Sequence, residues 1–107
     1  MYVGGMEPGE TPEQAMLREL REETGYVGNI RLVTQCFDDA YVTTNRYCFI
    51  ATNCRRVTGQ QLDESEFIEV RLVEVADFLK LVRSGRMTDV EAALLGLDKL
   101  GLLDRPG

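Results

Sequence analysis

A chain of 107 residues, 44% hydrophobic and 28% charged, has material for one domain with a single core and not for two. Its net charge of −6 argues against a broad nucleic-acid-binding face, and no apolar run approaches the roughly eighteen residues of a membrane-spanning helix. It contains no histidine, which excludes Ser-His-Asp and Cys-His catalysis and His-ligated zinc, and leaves the chemistry to carboxylates, lysine, arginine, tyrosine or a bound metal.

In chain order, the first feature is a loop with Gly4, Gly5 and Gly9, whose glycines allow a tight turn and a close approach to a ligand. A helix follows. Thr11-Pro12-Glu13-Gln14 reads as a capping box, with Thr11 as N-cap, Pro12 at the first helical position and Gln14 at the third. Gly25 is the natural stop after Thr24. Ala15, Met16 and Leu20 make the apolar side of this helix, and Glu19, Glu22 and Glu23 lie opposite.

Asn29 to Phe37 and Arg46 to Cys54 are rich in β-branched and aromatic residues and are predicted strands. The polar loop between them, residues 38–45, carries Tyr41. Thr58-Gly59-Gln60 marks a turn, and Phe67 to Leu72 alternates as a half-buried third strand, with Ile68, Val70 and Leu72 on one face. A helix over Val75 to Arg83 stops near Gly85. A last helix begins at Thr88, with Glu91 completing a second capping box, and ends near Gly101. The three cysteines, Cys36, Cys48 and Cys54, form no CxxC pair, which predicts reduced thiols and a cytoplasmic setting, with Cys36 and Cys48 in the core.

The glutamate helix admits two readings. "RELREE" suits an ordinary solvated face, with Arg18 and Glu22 as an i,i+4 pair. Yet Glu19, Glu22 and Glu23 stand three and four apart on one face, and like charges at that spacing oppose the helix unless a cation sits among them. Arg18 and Arg21 flank the cluster, and hard carboxylate oxygens in such an array suit magnesium or manganese.

Residues 4–26 resemble the Nudix box. Gly4, Glu10, Arg18, Glu19, Leu20, Glu22, Glu23, Gly25 and Tyr26 fill its defined positions, with Tyr26 the loosest match. A chance match is on the order of one in a billion per window at average residue usage. The resemblance implies an α+β fold, a Nudix-like α/β/α sandwich around a mixed sheet, with residues 1–107 as one domain. It also implies hydrolysis of the diphosphate in a nucleoside diphosphate derivative, the small-molecule partner, by water activated on magnesium or manganese. Glu19, Glu22 and Glu23 would be metal ligands, helped by the Val3 carbonyl, with Glu23 also counted as catalytic. Gly4, Glu10, Arg18 and Gly25 would be structural, with Glu10 and Arg18 pinning the loop to the helix.

The segment Leu62 to Val70 resembles the acidic loop of ADP-ribose-type members, which would make Glu64 the general base and Glu66 a further metal-linked carboxylate. A plain acidic turn is the other reading. Tyr41 either stacks on a base or ribose or caps the hairpin. Only Met1–Val3 precede the box, where the family usually places strands, so an N-terminally truncated sandwich completed within a homodimer is expected. ADP-ribose or another nucleoside diphosphate sugar is the expected substrate. The competing reading is a non-catalytic ligand-binding or oligomerisation module.

Overall fold

The computed structural model describes residues 7–37 and 45–103. Helix α1 spans Pro12–Thr24, strand β1 Tyr26–Phe37 and strand β2 Asn45–Arg56, followed by α2 over Val75–Val82 and α3 over Val90–Lys99. The start of α1 is fixed locally, as its sequence predicts. Thr11 Oγ1 accepts from the Gln14 amide at 3.2 Å, and Gln14 Oε1 accepts from the Thr11 amide at 2.9 Å. Its end is fixed by Gly25, which adopts φ +80 and donates to the Arg21 carbonyl at 2.8 Å.

Gly25 also brings the helix end against the chain beyond β2. Its carbonyl accepts from the Val57 and Thr58 amides at 2.9 and 3.3 Å, and a Cβ built on it would lie 2.1 Å from the Thr58 carbonyl oxygen. Both the left-handed backbone and the close approach require glycine here.

β1 and β2 form an antiparallel pair running from Tyr26 opposite Arg56 to Phe37 opposite Asn45, with irregularities between Val27 and Asn29 and between Leu32 and Thr34. Both strands extend beyond their predicted limits at the end nearest α1, because Tyr26 and Arg56 still find each other across the ladder. Alternation along β2 sends successive side chains to opposite faces. Phe49 packs with Ala15 and Met16 of α1, joined by Leu20, Ile30 and Tyr47. On the other face, Cys48 is buried and its thiol donates to the Ala92 carbonyl of α3 at 3.6 Å, while Ile50 approaches Gly96. A second cluster of Leu79, Val82 and Leu97, with Phe78, Met87 and Val90 around it, joins α2 to α3. Helices thus cover both faces of the sheet, and Cys48 is the core residue its apolar run predicts; the side chain of Cys36 lies outside the described set.

Three sequence expectations are corrected. Among the described residues the sheet has two antiparallel strands and is not mixed. Phe67–Leu72 forms no strand. Phe67 is 98% and Leu72 82% exposed, since an alternating pattern becomes a strand only when another edge supplies its hydrogen bonds. The capping box at Thr88 does not form either. Asp89 is the N-cap in a left-handed conformation (φ 56, ψ 36), so α3 begins at Val90 and Glu91 falls one position short of the box. The far end of α3 does follow the sequence. Leu102 donates to the Leu97 carbonyl at 2.9 Å and Gly101 to the Asp98 carbonyl at 3.0 Å, the paired bonds of a left-handed glycine stop. Among the described residues no helix is long and apolar enough to cross a membrane.

Candidate metal centre

The site grows from the loop–helix junction. Glu7 to Glu10 closes a turn through the Glu10 amide and Glu7 carbonyl (3.0 Å) and through the Glu7 amide and Glu10 Oε1 (2.7 Å). Arg18 then grips Glu10 with two prongs, Nε to Oε2 at 2.9 Å and Nη2 to Oε1 at 3.1 Å. This guanidinium, and the Glu7 backbone behind it, hold the Glu10 carboxyl below the usual range, while Glu10 raises the Arg18 guanidinium in return. The loop is therefore tied to the helix at Arg18, the residue next to Glu19. Arg18 also reaches the edge of the cluster, with Nη1 3.2 Å from Glu22 Oε2 and Nη2 3.9 Å from Glu19 Oε1. The flanking arginine predicted from the sequence thus tempers two of the three carboxylates.

Among the described residues, the carboxylate of the three that Arg18 does not reach is that of Glu23, four residues beyond Glu19 on the helix. Burial pushes both carboxyls up. At Glu19, Arg18 opposes the rise while Glu22, Glu66 and Glu10 add to it. At Glu23 the neighbouring charges of Glu19 and Glu66 come next after burial, so the carboxyl faces like charge both along the helix and from the acidic turn. Glu66 arrives from the tight turn Asp63–Glu66, closed by its amide on the Asp63 carbonyl at 3.1 Å and by its Oε1 on the Asp63 amide at 3.1 Å. Ser65 fastens the same turn, donating its amide (2.9 Å) and its hydroxyl (2.7 Å) to Asp63 Oδ1, which lowers the Asp63 carboxyl.

Of the predicted site residues, Glu19, Glu22, Glu23 and Glu66 are therefore neighbours. Glu64 is exposed on the turn, while Glu10 before the helix bonds to Arg18 at its middle and Gly25 closes its C-terminal end. Val3, Gly4 and Tyr41 lie outside the described residues. The sequence reading missed Gln60, whose side-chain nitrogen donates to the carbonyls of Glu23 (2.7 Å) and Ile68 (2.9 Å), and Gln61, whose amide donates to the Glu22 carbonyl at 2.7 Å. The sequence shows a turn ending at Gln60 and gives no sign of these partners.

Among the described residues, no group of three or more acidic or thiol side chains is arranged to hold a metal ion as it stands. The chemistry of the donors nevertheless fits a hard divalent cation. Hard carboxylate oxygens crowded on one helix face, with a further carboxylate facing them, repel one another, and a divalent cation is the kind of group that offsets that repulsion. A cleft of about 490 Å³ is lined by Thr24 and Gln60, with Tyr26, Arg56, Ile68 and Val70, and by none of the four clustered glutamates. Another space of about 480 Å³, between the sheet and α3, has walls of Cys48, Ile50, Ala92 and Leu97 and stands apart from the glutamates.

The family profile of the NUDIX domain matches residues 2–92 of the chain, enclosing the glutamate helix, both strands and the acidic turn. The chain belongs to the Nudix family. Curated Nudix-type relatives agree. A protein of Bacillus subtilis (strain 168) named ADP-ribose pyrophosphatase is 37% identical over 94 residues, covering 85% of this chain and 51% of that protein. One of the same name from Saccharomyces cerevisiae is 35% identical over 102 residues, covering 83% of this chain and 43% of that protein. The Nudix domain described here thus spans about half the length of the relatives it matches or less.

Proposed function

We propose that this Nudix domain hydrolyses the diphosphate bond of a nucleoside diphosphate derivative, with ADP-ribose or another nucleoside diphosphate sugar as substrate, in a reaction dependent on magnesium or manganese. The observation that carries the reading is the approach of Glu66, from a separate turn, to the Glu19–Glu23 face of α1. A surface helix stabilised for its own sake has no reason to recruit a fourth carboxylate against two that are already crowded. The relatives named ADP-ribose pyrophosphatase favour the substrate class.

In this reading Glu19, Glu22, Glu23 and Glu66 would hold the metal, which when bound would supply charge neutralisation of the diphosphate and a more acidic water. Glu64 or Glu66 takes a proton from the attacking water. Water adds to one phosphorus, the bridging oxygen leaves with the other phosphoryl group, and ADP-ribose gives AMP and ribose phosphate. Arg18 and Glu10 keep the loop against the helix so that the carboxylates meet the diphosphate from one side. The cleft lined by Tyr26 and Arg56 falls within the size range of small-molecule sites and is where the non-reacting part of the substrate would lie. Release of AMP from ADP-ribose in the presence of magnesium, abolished in Glu23→Gln, tests the proposal. A folded sample with no turnover across a panel of nucleoside diphosphate derivatives would overturn it.

One observation favours the homodimer, which either reading of the site accommodates. Residues 67–75 expose Phe67, Leu72 and Val73 in a run whose alternation suits a strand, as a surface completed by a second copy would. Mass measurement in solution decides this point: a homodimer supports it, and a monomer with cooperative unfolding removes it.

A further inference from the structure

The Gln60 side chain makes a junction that the glutamate motif leaves unexplained. Glu22 and Glu23 belong to the last turn of α1, where backbone carbonyls have no partner further along the helix. Gln61 satisfies the first through its amide, at 2.7 Å, and Gln60 the second through its side chain, also at 2.7 Å. The same Gln60 nitrogen donates its other hydrogen to the Ile68 carbonyl at 2.9 Å. Among uncharged side chains, only a primary amide offers two hydrogens on one nitrogen, so facing two carbonyls fixes which end of the amide points inward.

The bond to Ile68 closes residues 60–68 into a loop, and Glu66 lies two residues before the closure. Gln60 thus binds the carbonyl of Glu23, the residue whose carboxyl faces the charge of Glu66.

We propose that Gln60 is a positioning residue, fastening the acidic loop to the end of α1 so that Glu66 reaches the Glu23 carboxylate and completes the cation site. The inference rests on the metal-dependent reading of that site, and it adds a residue outside the glutamate motif. Without Gln60, the hydrogen bond that ties the 61–67 loop to the helix among the described residues is that of the Gln61 amide, and Glu66 must be ordered by the metal itself. Residues that orient ligands from behind typically change metal affinity or activity by 10–100-fold when removed.

The test is manganese binding to the full chain, read from the loss of the free-ion paramagnetic resonance signal, for wild type, Gln60→Ala, Glu66→Gln and the double variant. The expected result is an affinity loss of roughly tenfold or more in Gln60→Ala. The expected loss in the double variant equals that of Glu66→Gln alone, because Gln60 acts through Glu66. Gln60→Glu, which turns a double donor toward two carbonyls into an acceptor, is expected to lose at least as much as Gln60→Ala. In metal-free protein, hydrogen exchange at the Asp63, Ser65 and Glu66 amides is expected to accelerate in Gln60→Ala; this needs no metal and reports the loop directly. Wild-type affinity in Gln60→Ala, or losses that simply add in the double variant, overturns the positioning role and leaves the metal site standing. Wild-type protein that binds no manganese overturns the reading of the site itself, and the positioning role with it.

Discussion

Replacing Glu23 by Gln keeps the shape of the side chain and removes one charge from the most crowded point of the cluster. In the metal-free protein this should stabilise the fold. Glu23 faces like charge from Glu19, four residues earlier on α1, and from Glu66 across the gap. Each such contact opposes folding by about 0.2–0.5 kcal/mol, so relieving both is worth about 0.5–1 kcal/mol. For a domain of this size that raises the unfolding midpoint by roughly 2–6 °C. With magnesium the order should reverse, because a ligand at about a hundred times its dissociation constant adds about 2.7 kcal/mol to whichever protein binds it. The assay is thermal unfolding of both proteins in chelator and in saturating magnesium, and the signature is the crossing of the two pairs of curves. A Glu23→Gln protein less stable than wild type in chelator, or one that keeps the full magnesium shift, refutes the reasoning.

The pH dependence carries the same logic. Glu19 and Glu23 have folded-state affinities for protons above those of the unfolded chain, so their contribution to metal-free stability is present below the ordinary glutamate range and is lost as pH rises through their raised values. The advantage of Glu23→Gln over wild type in chelator should therefore shrink as pH falls, since a protonated Glu23 resembles glutamine.

Glu10→Gln should behave in the opposite sense: its folded-state carboxyl is held low by Arg18, so the unfolding midpoint falls at neutral pH and the difference from wild type fades as pH drops through that lowered value. Gly25→Ala places a Cβ 2.1 Å from a backbone oxygen at φ +80. The left-handed conformation alone costs about 1–2 kcal/mol, and with the overlap added the urea midpoint should drop by the equivalent of at least about 2 kcal/mol. Phe49→Ala opens the contact between β2 and α1 and should cost about 3–5 kcal/mol, read from the same urea curves.

The first helix is legible because everything that bounds it is local: a hydroxyl three residues from an amide, a proline that needs no donor, and a glycine at the stop. The ends of the strands are not, since Tyr26 and Arg56 become strand residues only by meeting each other. Phe67–Leu72 shows the converse, a pattern with the right alternation and no neighbouring edge among the described residues to turn it into a ladder. At Thr88 a plausible box gives way to the backbone of Asp89, a conformational choice that residue types alone do not announce. In the site, Glu19, Glu22 and Glu23 follow from helical spacing, and Glu66 was within reach of a reading by resemblance. Gln60 was not, because it binds main-chain carbonyls, one of them 37 residues away, and carbonyls leave no mark in a sequence.

The position of Glu22 and Glu23 in the last turn of α1 has a further consequence. The aligned peptide dipoles of a helix leave its C-terminal end partly negative, and acidic side chains are least welcome there. The helix backbone and its side chains thus contribute to one field of the same sign. A cation placed at this end would meet the partial negative charge of the last turn and the carboxylates together. Under the proposed metal-dependent reading, samples prepared in chelating buffers should be the ones most prone to unfold, and the melting point of the domain should rise with the free divalent metal around it.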